Sequence, residues 1–240
     1  MNRLYFGDTR DLFKFDLVRH IMKAVPAFDS FTFIPMLTGT DGGSRNKKSL
    51  GKDLAKARKA GKAGSQNQDL VAQMEHLQEI EDDLKYFQHI REYFNKEHIL
   101  AHIFSEQTFS HKDRSRYFGQ ILTHIPQKSL IFLDPDTGIE GDKPTEKHLL
   151  FEEIKQITNS MDNRSIVMIY QHFPRIKHDG YVRQRCSQLN QLTGMVPLTI
   201  TDNEILFFLL VKNEKFKKEM EEVLERYANS YPHLTSCTCS

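Results

Sequence analysis

The most reactive cluster of side chains follows a short apolar run and reads Asp134-Pro135-Asp136-Thr137-Gly138. A carboxylate that ends a buried strand can accept a hydrogen bond from an amino group. The proline after it stiffens the loop that presents this carboxylate. An ordinary strand-to-helix turn has the same composition, so the pattern alone leaves a purely structural role open.

Asp134, Asp136 and Glu140 also permit a second chemistry, the hydrolysis of phosphodiesters. Closely spaced carboxylates can hold Mg²⁺ for this reaction, and Asp8 and Asp16 are further candidate ligands. No Glu-x-Lys pair follows on a predicted strand, so the residues of a familiar nuclease core are not assembled. The histidines do not have a spacing to cysteine or acidic residues that is typical of zinc, and we predict no resident metal site.

Two other polar segments, 38–43 and 171–175, also follow predicted strands. The first is rich in glycine, which makes a tight turn possible. In the second, His172 and Arg175 could read a base edge or bind phosphate, or they could belong to an ordinary polar loop. Ligands of open α/β sheets bind outside the carboxyl ends of the strands. We therefore expect both segments to lie beside Asp134.

Strands and helices alternate along the chain and position these segments. Hydrophobic periodicity predicts strands at 31–37, 99–105, 130–133, 165–170, 195–201 and 205–212 and helices at 9–24, 145–160, 179–192 and 214–228, with a further helix after Asp113. Several strands are almost wholly apolar, which favours a mostly parallel sheet with helices on both faces. The last two strands are too close for a crossover, so they should form an antiparallel hairpin. The predicted class is α/β.

Charge is unevenly distributed along a chain whose net charge is +1. Residues 45–62 contain eight basic residues and one acidic residue, a net charge of +7, so the rest of the chain carries −6. With its glycines, this composition favours a mobile insertion at about 44–65 that contacts a polyanion, with Lys47 and Lys48 as candidate contacts. A solvated insertion without a partner is the alternative. Residues 66–94 then predict one long amphipathic helix.

Length and composition fit one globular domain over residues 1–240. The longest apolar run, 205–211, is far shorter than the roughly 20 residues that cross a bilayer. The first residues are charged, so we expect no secretory segment and predict a cytoplasmic protein without a membrane partner. The three cysteines, Cys186, Cys237 and Cys239, have no framework spacing, which excludes a disulfide scaffold.

Two segments resemble a known enzyme family. Residues 133–136, Leu-Asp-Pro-Asp, resemble the Asp-Pro-Pro-Tyr motif of S-adenosylmethionine-dependent adenine-N6 methyltransferases. Residues 6–15, Phe-Gly-Asp-Thr-Arg-Asp-Leu-Phe-Lys-Phe, are similar to the Gly-Asn-His-Ala-Asp-Val-Leu-Lys-His segment that opens the bacterial ribosomal-RNA adenine-N6 methyltransferase subfamily. A comparable strand, helix, hairpin and terminal helix extend the likeness over most of the chain outside residues 40–95.

The resemblance implies a Rossmann-like methyltransferase fold and a role for each matched residue. Gly7, Asp11 and Lys14 would pack beside the cofactor and the target base. Asp134 would accept the hydrogen bond of the exocyclic amine, and Pro135 matches the first proline of the motif.

The chain departs from the family motif at two positions. Asp136 replaces the second proline, and Thr137 replaces the aromatic residue that stacks on the flipped base. Because Thr137 cannot stack, Tyr170 or Phe173 would have to take that role. The candidate catalytic residues are Lys14, Asp134, Pro135 and Asp136, and the candidate substrate-binding residues are Lys47, Lys48, Tyr170, His172, Phe173 and Arg175.

The resemblance also implies S-adenosylmethionine as the cofactor. The loop after the first strand of such enzymes holds an acidic residue followed by glycines, and this chain supplies Asp41 with Gly39, Gly42 and Gly43 in altered spacing. Glu106 is the candidate for the acid that holds the ribose hydroxyls. Gly7 and Asp11 complete the candidate cofactor-binding set. Only one strand is predicted between 31–37 and 130–133, where the family has two, so a strand is hidden in 64–98 or the sheet is reduced.

The sequence therefore predicts an S-adenosylmethionine-dependent enzyme that methylates an amino group in RNA or DNA. Two alternatives remain open. One is a Mg²⁺-dependent nuclease that uses Asp134, Asp136 and Glu140. The other is a non-catalytic, methyltransferase-like module that binds nucleic acid or protein.

Overall fold

The computed structural model describes residues 1–39, 47–104, 109–174 and 177–239. Strands and helices alternate in them, and a short 3₁₀ helix, Arg3–Tyr5, precedes the first helix. The helices are α1 Thr9–Ala24, α2 Lys47–Ala60, α3 Gln68–Leu77, α4 Asp83–Lys96, α5 Arg114–His124, α6 Phe151–Ser160, α7 His178–Thr193 and α8 Glu214–Asn229. The strands are β1 Ser30–Pro35, β2 Ala101–Ile103, β3 Ser129–Asp134, β4 Gly138–Ile139, β5 His148–Leu149, β6 Ile166–His172, β7 Leu198–Thr201, β8 Ile205–Val211 and β9 Thr235–Thr238.

In the described ranges, seven strands form one sheet in the order β2-β1-β3-β6-β8-β7-β9. The pairs among β2, β1, β3 and β6 are parallel, whereas β8 runs antiparallel to both β6 and β7. The α/β class, the mostly parallel sheet and the C-terminal hairpin are therefore confirmed. The described residues contain only β2 between β1 and β3, so the sheet has the reduced form. The sequence pattern does not predict β9, which pairs antiparallel with β7.

Side chains of the sheet alternate between two hydrophobic clusters. In β3, Leu130 and Phe132 belong to one cluster, and Ile131 and Leu133 belong to the other. Helices α1, α2, α3, α4 and α8 complete the first cluster, and α5, α6 and α7 complete the second. Helices thus cover both faces of a Rossmann-like sheet. No helix in the described ranges is long and apolar enough to cross a membrane.

The prediction of one long helix over 66–94 is wrong, because α3 and α4 occupy this region as separate helices. Gln78 ends α3, and its Nε2 donates to the carbonyl oxygen of Gly7 at 2.8 Å. Asp82 is the N-cap of α4, and its carboxylate accepts a hydrogen bond from the Lys85 amide at 3.1 Å. A tertiary contact and a helix cap together interrupt the amphipathic pattern.

The described part of the basic segment is folded, so the expectation of a mobile segment is wrong there. Residues 47–60 form α2, and Leu54 and Ala57 of this helix are buried. Their spacing of three residues places both on one helical face. This narrow apolar face packs α2 against α1 and α3, and Lys52, Lys56, Arg58 and Lys59 are exposed.

One disulfide joins Cys186 of α7 to Cys239, with 6.0 Å between their Cα atoms. The cysteine spacing in the sequence does not predict this bridge, because the two residues are 53 positions apart. It connects the segment after β9 to α7. Cys237 is free and exposed.

Gly7 is a position where the structure requires glycine. Its φ is +75°, and a Cβ atom there would lie 2.5 Å from the carbonyl oxygen of Met74. We expect Gly7→Ala to lower the free energy of unfolding by at least about 2 kcal/mol, because strained backbone and a backbone clash add. Gly119→Ala in α5 is the matched control, since nothing lies within 4 Å of its Cβ position. Urea unfolding should show this control to be neutral or more stable by up to about 1 kcal/mol, and equal losses would contradict the packing described here.

Candidate functional site

A charged cluster lies where the strand order reverses, between β1 and β3. From β1 the chain continues to β2 on one side, and from β3 to β6 on the other, which opens a crevice at the carboxyl ends of the strands. The Met36 amide donates to the carbonyl of Asp134 at 3.1 Å, and Thr38 Oγ1 donates to Asp136 at 3.2 Å. The amino group of Met1 donates to the carbonyl oxygens of Met36 and Asp134. The segments after β1 and β3 therefore lie side by side.

The ammonium group of Lys14 lies at the centre of this cluster. Its Nζ is 3.0 Å from Asp134 Oδ2, 3.2 Å from Asp11 Oδ1 and 4.3 Å from the ring centroid of Tyr170. Burial lowers the pKa of Lys14, but the carboxylates of Asp134 and Asp11 outweigh burial and the net pKa is raised. Lys14 is therefore a cation at neutral pH and cannot act there as a proton acceptor.

Asp11 connects this ion pair to the N-terminal segment and to α4. Asp11 and Lys14 are three residues apart on α1, so they share one face of the helix. Asp11 Oδ2 accepts the amide of Gly7 at 3.0 Å and the hydroxyl of Tyr86 at 2.7 Å. Burial, and then the carboxylate of Asp11, raise the pKa of Tyr86 well above its ordinary value, so its hydroxyl remains a donor. Gly7 and Asp11, the predicted cofactor ligands, are thus engaged in internal contacts.

Asp134 has one carboxylate oxygen in use and one free. Oδ2 binds Lys14, whereas Oδ1 is buried and has no hydrogen-bond partner in the described part of the chain. Burial raises the pKa of Asp134, and the ammonium of Lys14 opposes this rise. Beside the pair lies a cavity of about 30 Å³ whose walls include Lys14, Pro135 and Tyr170. This space is large enough to admit water but not a base.

Asp8 is the N-cap of α1 and lines the same cavity. Its Oδ1 accepts the amides of Arg10 and Asp11 at 2.8 and 3.0 Å, which is the geometry of an N-cap. Burial, and then the neighbouring Asp11 carboxylate, raise the pKa of Asp8 to about 6. Asp8 therefore changes its charge close to neutral pH.

The segment after β6 supports the loop after β3. Gln171 Oε1 accepts the Ile139 amide at 2.8 Å, and its Nε2 donates to the Thr137 carbonyl at 3.3 Å. The amide of His172 donates to the same carbonyl at 3.0 Å. Gly138 has a φ of +133°, and a Cβ atom there would clash with the side-chain nitrogen Nε2 of Gln171. The loop therefore needs glycine at this position to accommodate Gln171.

The two rings predicted to stack on a base are both occupied. Tyr170 is 3% exposed and lies beneath the ammonium of Lys14. Phe173 is 8% exposed, and its ring stacks on the ring of His178 with 3.9 Å between centroids. Neither ring therefore offers the open stacking surface that Thr137 lacks.

The carboxylates of the nuclease alternative do not converge. Asp134 pairs with Lys14, and Asp136 accepts a hydrogen bond from the hydroxyl of Thr38. Glu140 Oε1 accepts a hydrogen bond from the Phe151 amide at the start of α6. Among the residues that the structure describes, no group of three or more His, Cys, Asp or Glu could hold a metal ion. This geometry gives the nuclease alternative no ligand set.

Several candidate residues lie outside the described ranges. They are Asp41, Gly42, Gly43, Glu106 and Arg175. Lys47 and Lys48 begin α2, and their side chains are also outside the described part. Gly39 is exposed, and nothing lies within 4 Å of its Cβ position.

Sequence reasoning misses Tyr5, Arg10 and Tyr86. Tyr86 is 75 residues from Asp11, and no local pattern indicates their hydrogen bond. Tyr5 and Arg10 lie next to each other in space, with the guanidinium 5.5 Å from the ring centroid. No local sequence pattern indicates this contact.

The chain has no match in a scan of protein-family models and none in a search of curated proteins. The resemblance of residues 6–15 and 133–136 to methyltransferase motifs therefore stays a prediction.

Removal of Lys14 should destabilise the protein strongly. In Lys14→Met, the buried carboxylates of Asp134 and Asp11 lose their shared cation, and we expect a loss of about 3–5 kcal/mol. Lys23→Met is the matched control on the same helix, because Lys23 pairs with Glu97 at the surface. That change should cost less than about 1 kcal/mol. Denaturant unfolding measures both, and similar losses would contradict the role given to the buried pair.

The raised pKa of Asp8 predicts a pH-dependent gain in stability for Asp8→Asn. Folding raises this pKa from 3.8 to about 6, so the folded protein disfavours the charged carboxylate. The cost is absent below pH 3.8, grows as pH rises and is complete above about pH 6. Asn keeps the helix cap, and at 1.36 kcal/mol per pKa unit the variant should gain at most about 3 kcal/mol above that pH. Thermal unfolding between about pH 4 and 8 checks this, and a difference independent of pH would contradict it.

Proposed function

We propose that this protein transfers a methyl group from S-adenosylmethionine to an amino nitrogen of a nucleic-acid base. The strongest support is Asp134 Oδ1, a buried acceptor without a partner in the described ranges, at the switch point of the sheet. An amino N–H is the kind of donor that this oxygen lacks. The likeness of residues 133–136 to the methyltransferase motif is a second, independent support.

The ion pair suits Asp134 to this role. Lys14 holds Oδ2 at 3.0 Å, so Oδ1 has a fixed direction in which to accept an amine. When the amine nitrogen attacks a methyl carbon, it gains positive charge, and a preorganised carboxylate stabilises that charge. Asp11, Lys14 and Asp134 together carry one net negative charge when all are ionised. The cluster therefore favours a cation that develops beside it.

S-adenosylmethionine supplies a methyl group on a positively charged sulfur when it is bound. Among the described residues, Thr38, Gly39 and Asp136 would hold it. Thr38 and Asp136 are hydrogen bonded to each other at 3.2 Å, and the surface at Gly39 is open. A carboxylate beside a sulfonium is electrostatically favourable. The cavity beside Lys14 holds only about 30 Å³, so the crevice has to widen before a base reaches Asp134.

A non-catalytic protein that binds nucleic acid is the second candidate. Its support is the charge of +7 on residues 45–62, most of which form the folded helix α2, together with the small volume beside Lys14. Such a protein would bind a polyanion without the methyl donor. The two candidates differ in whether S-adenosylhomocysteine, the product of the donor, binds.

Asp134→Asn tests the role of the free oxygen. The ammonium of Lys14 donates to the oxygen of the new amide side chain, so the NH₂ group of that side chain takes the place of Oδ1. This NH₂ group is a donor and cannot accept a hydrogen bond from an incoming N–H. Wild-type protein should transfer a labelled methyl group to RNA or DNA, and the variant should transfer it at least about 100-fold more slowly. Calorimetric titration with S-adenosylhomocysteine is the control, because both proteins should bind it.

Two outcomes would contradict parts of this proposal. If wild-type protein binds no S-adenosylhomocysteine at millimolar concentration, the methyltransferase proposal fails and the second candidate is favoured. If it binds and Asp134→Asn still transfers methyl groups at the wild-type rate, the role of Asp134 is wrong. A thermal shift gives an independent readout, because a ligand at 100 times its Kd adds about 2.7 kcal/mol to the free energy of unfolding.

A further inference from the structure

A groove of about 550 Å³ lies between α2 and the start of α1. This volume is within the range of sites that hold small molecules or single nucleotides. Tyr5, Asp8 and Arg10 line both this groove and the small cavity beside Lys14. The groove therefore adjoins the charged cluster.

Tyr5 presents an open aromatic ring in this groove. It is 49% exposed, and the other large apolar side chains exposed in the described ranges, Leu84 and Leu100, are aliphatic. The guanidinium of Arg10 lies over one face of this ring, 5.5 Å from its centroid, and the exposure of Tyr5, unlike that of Tyr170, leaves ring surface for a base. Exposed aromatic rings and arginine planes are surfaces on which unpaired bases stack. Bases inside a duplex have no free face, so only an unpaired strand can use such a ring.

The charges that the described residues contribute to the groove lining balance. They form three ion pairs, Lys56–Asp53 at 3.3 Å, Arg10–Asp8 at 4.0 Å and Lys62–Glu204. A balanced interior accommodates a neutral, flat group at lower cost than a phosphate. The interior therefore suits a base better than a nucleic-acid backbone.

Excess positive charge lies on the outer side of α2. Lys52 and Lys59 are exposed there, whereas Leu54 and Ala57 face the core. Lys56, which pairs with Asp53, lies at the edge between this side and the groove. A row of cations beside a groove can follow the phosphates of a strand whose bases turn inward. The helix thus complements the neutral interior.

We infer that this groove binds an unpaired strand of nucleic acid, with one base stacked on Tyr5 and phosphates along Lys52, Lys56 and Lys59. The inference rests on the proposed function, because it names the substrate of the same site. Tyr5 makes the stacking contact that the occupied rings of Tyr170 and Phe173 do not offer. Strand binding needs no methyl donor, so it can be tested without one.

Fluorescence of a single 2-aminopurine in a short single-stranded oligonucleotide tests the stacking contact. Wild-type protein and Tyr5→Phe should quench this fluorescence on binding, because both keep the ring. Tyr5→Ala should lose the quenching and bind about 10- to 100-fold more weakly. Leu84→Ala, which removes another exposed apolar side chain, should behave as wild type. Circular dichroism of each variant checks that it is folded.

Salt dependence tests the phosphate contacts in the same assay. Replacing Lys52, Lys56 and Lys59 by Gln should make the slope of log affinity against log salt shallower by up to about 2, at roughly 0.7 per contact for single strands. Equal quenching by wild type and Tyr5→Ala, or tighter binding of a duplex, would overturn the inference. Binding through Tyr5 by a protein that does not bind S-adenosylhomocysteine would support the inference while refuting the methyltransferase proposal.

Discussion

A buried ammonium group is stable only when carboxylates surround it, and the site of this protein depends on how Lys14 meets that condition. One carboxylate, Asp11, comes from the same helix. The other, Asp134, lies at the end of β3, 120 residues after Lys14 in the chain. The pair therefore fixes α1 against the carboxyl edge of the sheet. Gly7 and Tyr86 bind the second oxygen of Asp11, so the N-terminal segment and α4 are fixed at the same point.

The same interaction defines the chemistry of the crevice. Buried ion pairs add little stability relative to apolar residues of similar volume, so stability alone is a poor reason for placing one at a switch point. Lys14 occupies one oxygen of Asp134 and leaves the other as a buried acceptor of fixed direction. Asp8, with a pKa of about 6, adds a charge that depends on pH next to Tyr5 and the groove. The acceptor oxygen of Asp134, the titratable carboxylate of Asp8 and the ring of Tyr5 thus lie around the small cavity and the groove that adjoins it.

Strands and helices could be predicted because each carries its own periodicity, and the Asp134 loop could be identified because it ends an apolar strand. Contacts between distant parts of the chain could not. The break in the predicted helix over 66–94 involves a hydrogen bond from Gln78 to Gly7, which no local pattern encodes. Lysine and glycine obscure the apolar face of α2, where Leu54 packs. The open ring of Tyr5 is equally invisible, because exposure depends on the tertiary fold.

Hydrogen–deuterium exchange of backbone amides, with and without S-adenosylhomocysteine, tests most directly whether a ligand binds in the crevice between β1 and β3. Bound ligand slows exchange where it contacts or orders the backbone. We predict slower exchange in peptides that cover residues 36–39 and 134–138, with β2 at the sheet edge unchanged. No protection in these two peptides, or protection confined to other parts of the chain, would contradict the assignment of the site.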